Sequence, residues 1–300
     1  MVIKLIEPGK TGRQVLTLPY IFLLLQDLLY GFGDPISKML FDIMPVYAVL
    51  VIRYCIALLA MLLIWHKRIF RGLKETPVKV WFLPAFCTGA AYIVNNLALS
   101  MTAATNVAFI RSMPTLIAPL LALIVYRKKY KLAHLPIQLL VLVGLYMLCC
   151  ENGIGSIGPG ELFALMAAVM LAGSLVFGEQ AVTKMDGISL SAAQTIMSLI
   201  MAAGALPLTD PSLHLELMNG SCWLIVLYLA ITCTLGGYIL QNAALESISS
   251  RAAALLQTLT PVITAIFSFI LLGERTSVTG IIGAAIILFS VIADQFIGET

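Results

Sequence analysis

The sequence predicts an all-α integral membrane protein of ten transmembrane helices, arranged as two inverted five-helix repeats. Three observations lead there. The 300 residues are 60% hydrophobic and only 11% charged, with a mean hydropathy of +1.00, far from the roughly half-apolar, quarter-charged makeup of a soluble domain. The apolar residues come in runs matching the about 20 residues that a bilayer-spanning helix needs. The two halves of the chain also match when one is slid along the other.

In chain order the apolar runs cover 18–36, 45–65, 79–99, 105–126, 133–150, 160–180, 188–208, 221–244, 252–272 and 277–297, bounded by charge or by Gly, Pro and Asn clusters. The first follows Lys4, Lys10 and Arg13. It is too long for a signal-peptide core and lacks a small-residue cleavage site, so it reads as an uncleaved span. Such a layout leaves only short loops, which excludes a separate nucleotide-binding domain, a DNA-binding module and a secreted enzyme. The six cysteines (Cys55, Cys87, Cys149, Cys150, Cys222 and Cys233) show no metal-ligand spacing and read as small buried hydrophobes, so no metal and no cofactor is expected.

Basic residues are retained on the cytoplasmic side of a membrane. With the N-terminus inside, fourteen of the eighteen Lys and Arg fall in inner segments and two, Lys38 and Arg275, in outer ones; Arg53 and Arg111 lie within spans. Both termini are then cytoplasmic. The basic clusters are short and pressed against apolar helices, which argues for membrane lipid and against nucleic acid as a partner.

At an offset of 147 residues Gly89 falls on Gly236, Asn95 on Asn242, Ser100 on Ser247 and Pro114 on Pro261; at 146, Pro35–Met39 falls on Ala181–Met185. The halves therefore run 1–150 and 151–300, five spans each. Five is odd, so the second copy enters from the opposite face. An inverted repeat lets two nearly equivalent packings expose a midplane site to opposite sides in turn, which is alternating access.

These residues resemble the drug/metabolite transporter superfamily, specifically its ten-span EamA-like permeases. The resemblance rests on Pro261–Arg275, ending Leu-Gly-Glu-Arg, on Gly280–Ala285 and on Arg53-Tyr54, and it covers nearly the whole chain. In the first half Tyr126-Arg127-Lys128 stands in place of the Gly-Glu-Arg. The resemblance implies a secondary transporter with a central cavity formed by spans 1, 3, 4, 6, 8 and 9, and with spans 5 and 10 packing at one end. Gly280 and Ala284 form a small-xxx-small pair suited to that packing.

Ionisable groups in hydrocarbon cost at least about 2.5–3.5 kcal/mol each and so need a partner, a wet cavity or a function. Asp27, Tyr30, Asp34 and Lys38 are spaced 3, 4 and 4 along one helical face. Asp27 reads either as a proton carrier or cation counter-ion, or as a structural acid paired with Arg53 or Arg111. Arg111 suits a substrate carboxylate or phosphate, or an ion pair with Asp27 or Asp34. Arg53 is expected outside the cavity, snorkelling or structurally paired. Tyr92, Asn95, Asn96, Asn106, Tyr238, Gln241, Asn242 and Gln257 could line a metabolite site, while Asn95 and Asn242 could equally tie helices together. Pro114 and Pro261 are expected to kink spans 4 and 9. Glu179, Gln180 and Asp294 read as interfacial acids and amide, with a gating role open for the first two.

Gly9-Lys10-Thr11 lacks the upstream glycine of a phosphate-binding loop, and Asn219-Gly220-Ser221 lies too close to a span for ready glycosylation. No protease, lipase or metal motif appears, so the chain is not expected to be an enzyme. The reading is a secondary transporter moving a small polar or amphipathic metabolite, amino acid-like or an organic cation, with protons as a candidate coupling ion. The alternative is a non-transporting membrane scaffold. Its expected home is a bacterial inner membrane, as a monomer or homodimer.

Overall fold

The computed structural model describes residues 12–101, 104–128, 130–149, 158–209, 212–273 and 276–295, and among them every regular element is a helix. Lys4, Lys10, Lys129, Cys150 and the Glu274-Arg275 pair lie outside the described residues.

The chain begins with α1 (Gly12–Phe41), α2 (Val46–Glu75) and α3 (Val78–Met101). Next come α4 (Ala104–Arg111) and α5 (Pro114–Tyr126), then α6 (His134–Cys149), α7 (Pro159–Ala181) and α8 (Gly187–Thr209). It ends with α9 (Gly220–Tyr228), α10 (Gly237–Leu245), α11 (Ser250–Leu256), α12 (Thr260–Leu272) and α13 (Val278–Gln295).

Among the described residues, seven segments are long and apolar enough to cross a membrane: Val46–Glu75, Val78–Ala98, Phe109–Tyr126, Pro159–Ala181, Gly187–Pro207, Gly220–Leu245 and Ser250–Leu271. His134–Cys149 and Val278–Asp294 are apolar but shorter, and α1 is made more polar by Gln26, Asp27 and Asp34. Helix α2 runs about ten residues past its expected end at 65. A kink at Trp65 (φ −126°, ψ 22°) turns the extension carrying Lys67, Arg68 and Arg71 away from the apolar stretch.

Local chemistry explains where the helices start. The Asp186 carboxylate accepts from the Ile188 and Ser189 amides at 3.2 and 3.1 Å, and Asn219 accepts from Cys222 N at 2.9 Å, each covering an amide that has no partner in its own helix. The formal glycosylation site is thus occupied as a helix cap. Pro114 opens α5 and Pro159 opens α7, where a missing N–H costs nothing.

The C-caps of α5 and α12 match each other. Gly273 ends α12 at φ +68°, and Arg127, 146 residues earlier, ends α5 at φ +51° with Lys128 N closing back on Ala122 O. The register at this cap therefore sets Arg127, rather than Tyr126, against Gly273. A side chain in left-handed conformation costs about 1–2 kcal/mol, part of which glycine gives back as unfolded-state entropy. Arg127→Gly is expected to stabilise the protein by about 0.5–1 kcal/mol, read by equilibrium unfolding in mixed micelles. A loss of stability would show that the arginine side chain makes a compensating contact.

Packing is close because small residues face one another. Ala164, Ala167, Ala168, Ala172 and Gly173 are buried on α7, which lies along α3, and Thr88 and Ser174 share a hydrogen bond of 2.6 Å across that contact. Between α6 and α13 the backbones touch: a Cβ on Gly283 would stand 2.5 Å from the Gly144 carbonyl oxygen. The close approach uses Gly283 with Gly144, one turn on from Gly280. Helix pairings recur in matched sets under the repeat: α3 with α7 corresponds to α10 with α1, and α5 with α7 to α12 with α1. The pairs α2–α8 and α6–α13 map onto themselves.

Candidate functional site

Among the described residues, three helix interruptions meet in the interior of the bundle. Ser112 and Met113 separate α4 from α5, where Pro114 supplies no N–H and the amides of Ser112 and Met113 bond three residues back. A π-helical turn over Leu229–Gly236 separates α9 from α10, and a 3-10 turn over Gln257–Leu259, just before Pro261, separates α11 from α12. Irregular backbone at membrane depth is tolerated only when buried in protein or facing a cavity. All three interruptions border one cavity of about 130 Å³, to which they contribute Ser112, Leu229, Cys233, Gln257 and Thr258.

This cavity lies in the half of the bundle nearer the α1–α2 turn, since it takes Tyr30, Gly33, Asp34 and Ser37 from late α1 and Arg53 from early α2. Helix α3 adds Tyr92 and Asn95. The π turn brings Cys233 against α1, where its Sγ donates to Leu29 O at 3.3 Å; a Cβ on Gly33 would meet that sulfur at 2.7 Å, so the approach requires glycine there. Gly237 likewise leaves room for the Tyr30 ring, whose hydroxyl oxygen would stand 2.5 Å from an added Cβ.

Among the described residues, three charged side chains line the cavity: Arg53, Arg111 and Asp34. Arg111 donates to Asp34 Oδ2 at 3.3 Å, and Thr264 Oγ1 donates to the same oxygen at 3.3 Å. The two partners keep 32% and 40% side-chain exposure, so this pair is open to solvent rather than sealed. Arg53 is held by its Nε, which donates to Thr234 Oγ1 at 2.6 Å. Arg53 therefore lines the cavity instead of lying outside it, held by Thr234 in a structural pairing rather than snorkelling.

Beside the charges sits a cluster of three glutamines. Gln257 Nε2 donates to Gln26 Oε1 at 3.1 Å and to Gln241 Oε1 at 3.0 Å, while Gln26 Nε2 donates to Gln241 Oε1 and to Gly237 O. The cluster joins α1, α10 and the 3-10 turn. Next to Gln26, Asp27 is fully buried; its Oδ1 accepts from Thr260 Oγ1 at 2.7 Å and its Oδ2 has no partner. Asp27 is thus bound neither to Arg53 nor to Arg111, and it reaches the cavity through Thr260, which lines it.

The opposite end of the bundle is tied by ions. Arg68 pairs with Asp186 at 2.8 Å, linking α2 to the start of α8. Glu179, at the end of α7, binds Lys128 and accepts from Ser250 N at 3.1 Å at the start of α11. Asp294 is 3% exposed and accepts from Arg251 at 2.8 Å and bonds His134 Nδ1 at 2.7 Å, which joins α13, α11 and α6. Asp294 is therefore a buried shared acceptor, not a solvated interfacial acid. Burial against the α7–α8 turn pushes the Glu246 carboxyl above the usual glutamate range, opposed by the Gly187 N–H that it accepts.

Of the residues singled out from the sequence, Tyr30, Tyr92, Asn95, Arg111, Gln241 and Gln257 line the cavity together with Pro114 and Pro261. Asn242 faces elsewhere: its Nδ2 donates to Ser191 Oγ and Gln194 Oε1, both at 2.8 Å, fastening α10 to α8. Asn96 donates to Tyr92 O one turn back, and Tyr238 is buried with its ring 6.2 Å from that of Tyr92. The side chains of Asn106 and Lys38 lie outside the described residues. Sequence reasoning missed Gln26, Thr234, Thr258 and Thr260. Only Gln26 carried a signal, an amide beside Asp27 in an otherwise apolar run.

Together these features define a polytopic helical membrane protein with a charged and amide-lined cavity in its interior. The chain belongs to the EamA-like transporter family, whose model matches residues 17–150 and again residues 158–293. It is 26% identical over 265 residues to an "Uncharacterized transporter" of Archaeoglobus fulgidus, covering 88% of this chain and 82% of that one. A solved structure described as "Crystal structure of protein" shares the fold with a TM-score of 0.79 at 16% identity, covering 93% of this chain and 96% of the other. The protein is a membrane transporter.

Proposed function

We propose that the chain is a ten-span secondary transporter that carries a small polar metabolite by alternating access, with α1, α6 and α13 completing the crossings. The halves 1–150 and 151–300 act as inverted repeats. The double family match and the matched helix pairings support this reading. The observation that carries it is the meeting of three helix interruptions at one cavity lined by charges and amides. A scaffold reading predicts Arg111 sealed in a dry core; its open pair with Asp34 favours transport.

The ion-paired end carries Lys67, Arg68, Arg71, Lys74, Lys128 and Lys184, and the preference of basic residues for the cytoplasmic side supports a cytoplasmic position for it. The arrangement is then closed toward the cytoplasm by the Glu179 and Asp294 contacts, with the cavity displaced toward the outside. Rocking would break those contacts and let substrate binding shift the population between two access states. A proton carried by Asp27 is the proposed coupling ion, in a bacterial inner membrane with both termini inside.

The test is solute counterflow in proteoliposomes with pooled labelled acids, amino acids, organic cations and sugars. Exchange of at least one pool, reduced about ten- to a hundredfold in Arg111→Gln, is expected from the loss of a charge-assisted contact. Silence across every pool by a folded protein would sink the transport reading.

A further inference from the structure

The charges on the cavity wall do not cancel. Among the described residues Arg53, Arg111 and Asp34 sum to +1, and Asp34 is already engaged by Arg111 and Thr264. Among the described residues no carboxylate lies within ion-pair distance of Arg53, whose side chain is held at Nε by the Thr234 hydroxyl. An arginine cannot shed its charge at accessible pH. A guanidinium fixed at one edge by a buried threonine keeps its terminal N–H groups for something else, and in low dielectric that something is an anion.

A second group on the same wall also lacks a partner. Asn95 is 8% exposed and lines the cavity, yet its Oδ1 accepts no hydrogen bond. A buried acceptor without a donor is costly, and on a cavity wall that cost is relieved by a donor brought with a ligand. Gln241 Oε1 and Gln257 Nε2 are taken up within the glutamine cluster, and among the described cavity-lining residues Asn95 Oδ1 is the buried polar atom left without a partner, one that asks for a hydroxyl or amide N–H.

We infer that the cavity selects a small monoanionic hydroxycarboxylate, with its carboxylate on Arg53 and its hydroxyl donating to Asn95 Oδ1. This assignment rests on the transport reading of the same cavity. A monoanion brings the wall to neutrality. A cation would raise it to +2, and a zwitterion would leave it at +1 while its ammonium competed with Arg111 for Asp34. A volume of about 130 Å³ suits acids of a few carbons and not nucleotides.

The experiment is counterflow by the full-length protein in proteoliposomes, with labelled lactate and glycerate set against propionate, alanine, choline and glycerol. Lactate and glycerate are expected to exchange best. Propionate, which lacks the hydroxyl, should need about ten times the concentration, in line with one unmade hydrogen bond to a buried acceptor. In Arg53→Gln the half-saturating lactate concentration should rise about ten- to a hundredfold, with Arg53→Lys intermediate. Should Arg53→Gln fold poorly, Asn95→Leu is the second variant: it should raise the half-saturating lactate concentration about tenfold and so erase the preference for lactate over propionate. Exchange of choline or alanine without the hydroxycarboxylates would overturn the assignment while the transport reading stood. So would lactate exchange indifferent to both Arg53→Gln and Asn95→Leu. No exchange of any solute, in this panel or the wider pools, would overturn the transport reading itself and the assignment with it.

Discussion

Replacing Asp27 by asparagine is expected to abolish proton-driven accumulation of substrate while leaving substrate-for-substrate exchange in place. The carboxyl is fully buried, with Thr260 on one oxygen and nothing on the other. An ion in that setting is expensive, so on the proposed coupling Asp27 carries a proton in this arrangement and releases it when the helices rock. One coupled proton can sustain a concentration ratio of about tenfold per pH unit. A two-unit gradient should therefore drive about hundredfold accumulation by the wild type and none by Asp27→Asn. Asparagine keeps the shape and the acceptor for Thr260, so the fold and the exchange reaction should survive. Equal accumulation by the variant would place the coupling proton on another group or remove protons from the cycle.

The second large effect is on stability. Asp294→Ala withdraws one carboxylate from Arg251 and His134 at once, at a site where Asp294 and His134 are each 3% exposed. Breaking a buried ion pair from one side costs about 3–5 kcal/mol, and here the loss also unties α13 from α11 and α6. Equilibrium unfolding in mixed micelles should show that loss for Asp294→Ala and a smaller one for Asp294→Asn, which keeps an acceptor. A change under about 1 kcal/mol, the range of exposed pairs, would mean that water reaches the triad and that this end of the bundle is held by Glu179 and Asp186 instead.

Asp294 also shows where reading the chain stops. By position it is an acid near the end of an apolar helix, which is the description of a solvated interfacial residue. Its partners stand 160 and 43 residues away, and no local pattern announces either. Arg53 is the same case. Its placement inside the cavity depends on Thr234, 181 residues along, and on the π turn that aims that threonine at α2. Asn95 and Asn242 are equivalent under the repeat, yet one faces the cavity and the other fastens α10 to α8. The repeat matches sequence positions; the differing neighbours on each helix decide which polar groups are left for a ligand.

What was legible has a local cause. Each peptide group in a bilayer must satisfy its hydrogen bonds within its own helix, so apolar runs mark helices without any knowledge of their neighbours. Proline removes a donor wherever it stands, so the interruptions beside Pro114 and Pro261 lie where the residue itself disrupts the ladder. By itself the sequence thus determined that the chain is a helical membrane protein of two related halves with polar groups concentrated in α1, α3, α4 and the segments from α9 to α12. Only the tertiary structure decided which of those groups meet, because the hydrogen bonds and ion pairs that orient Gln26, Arg53, Asp34 and Asp294 run between helices distant in the chain.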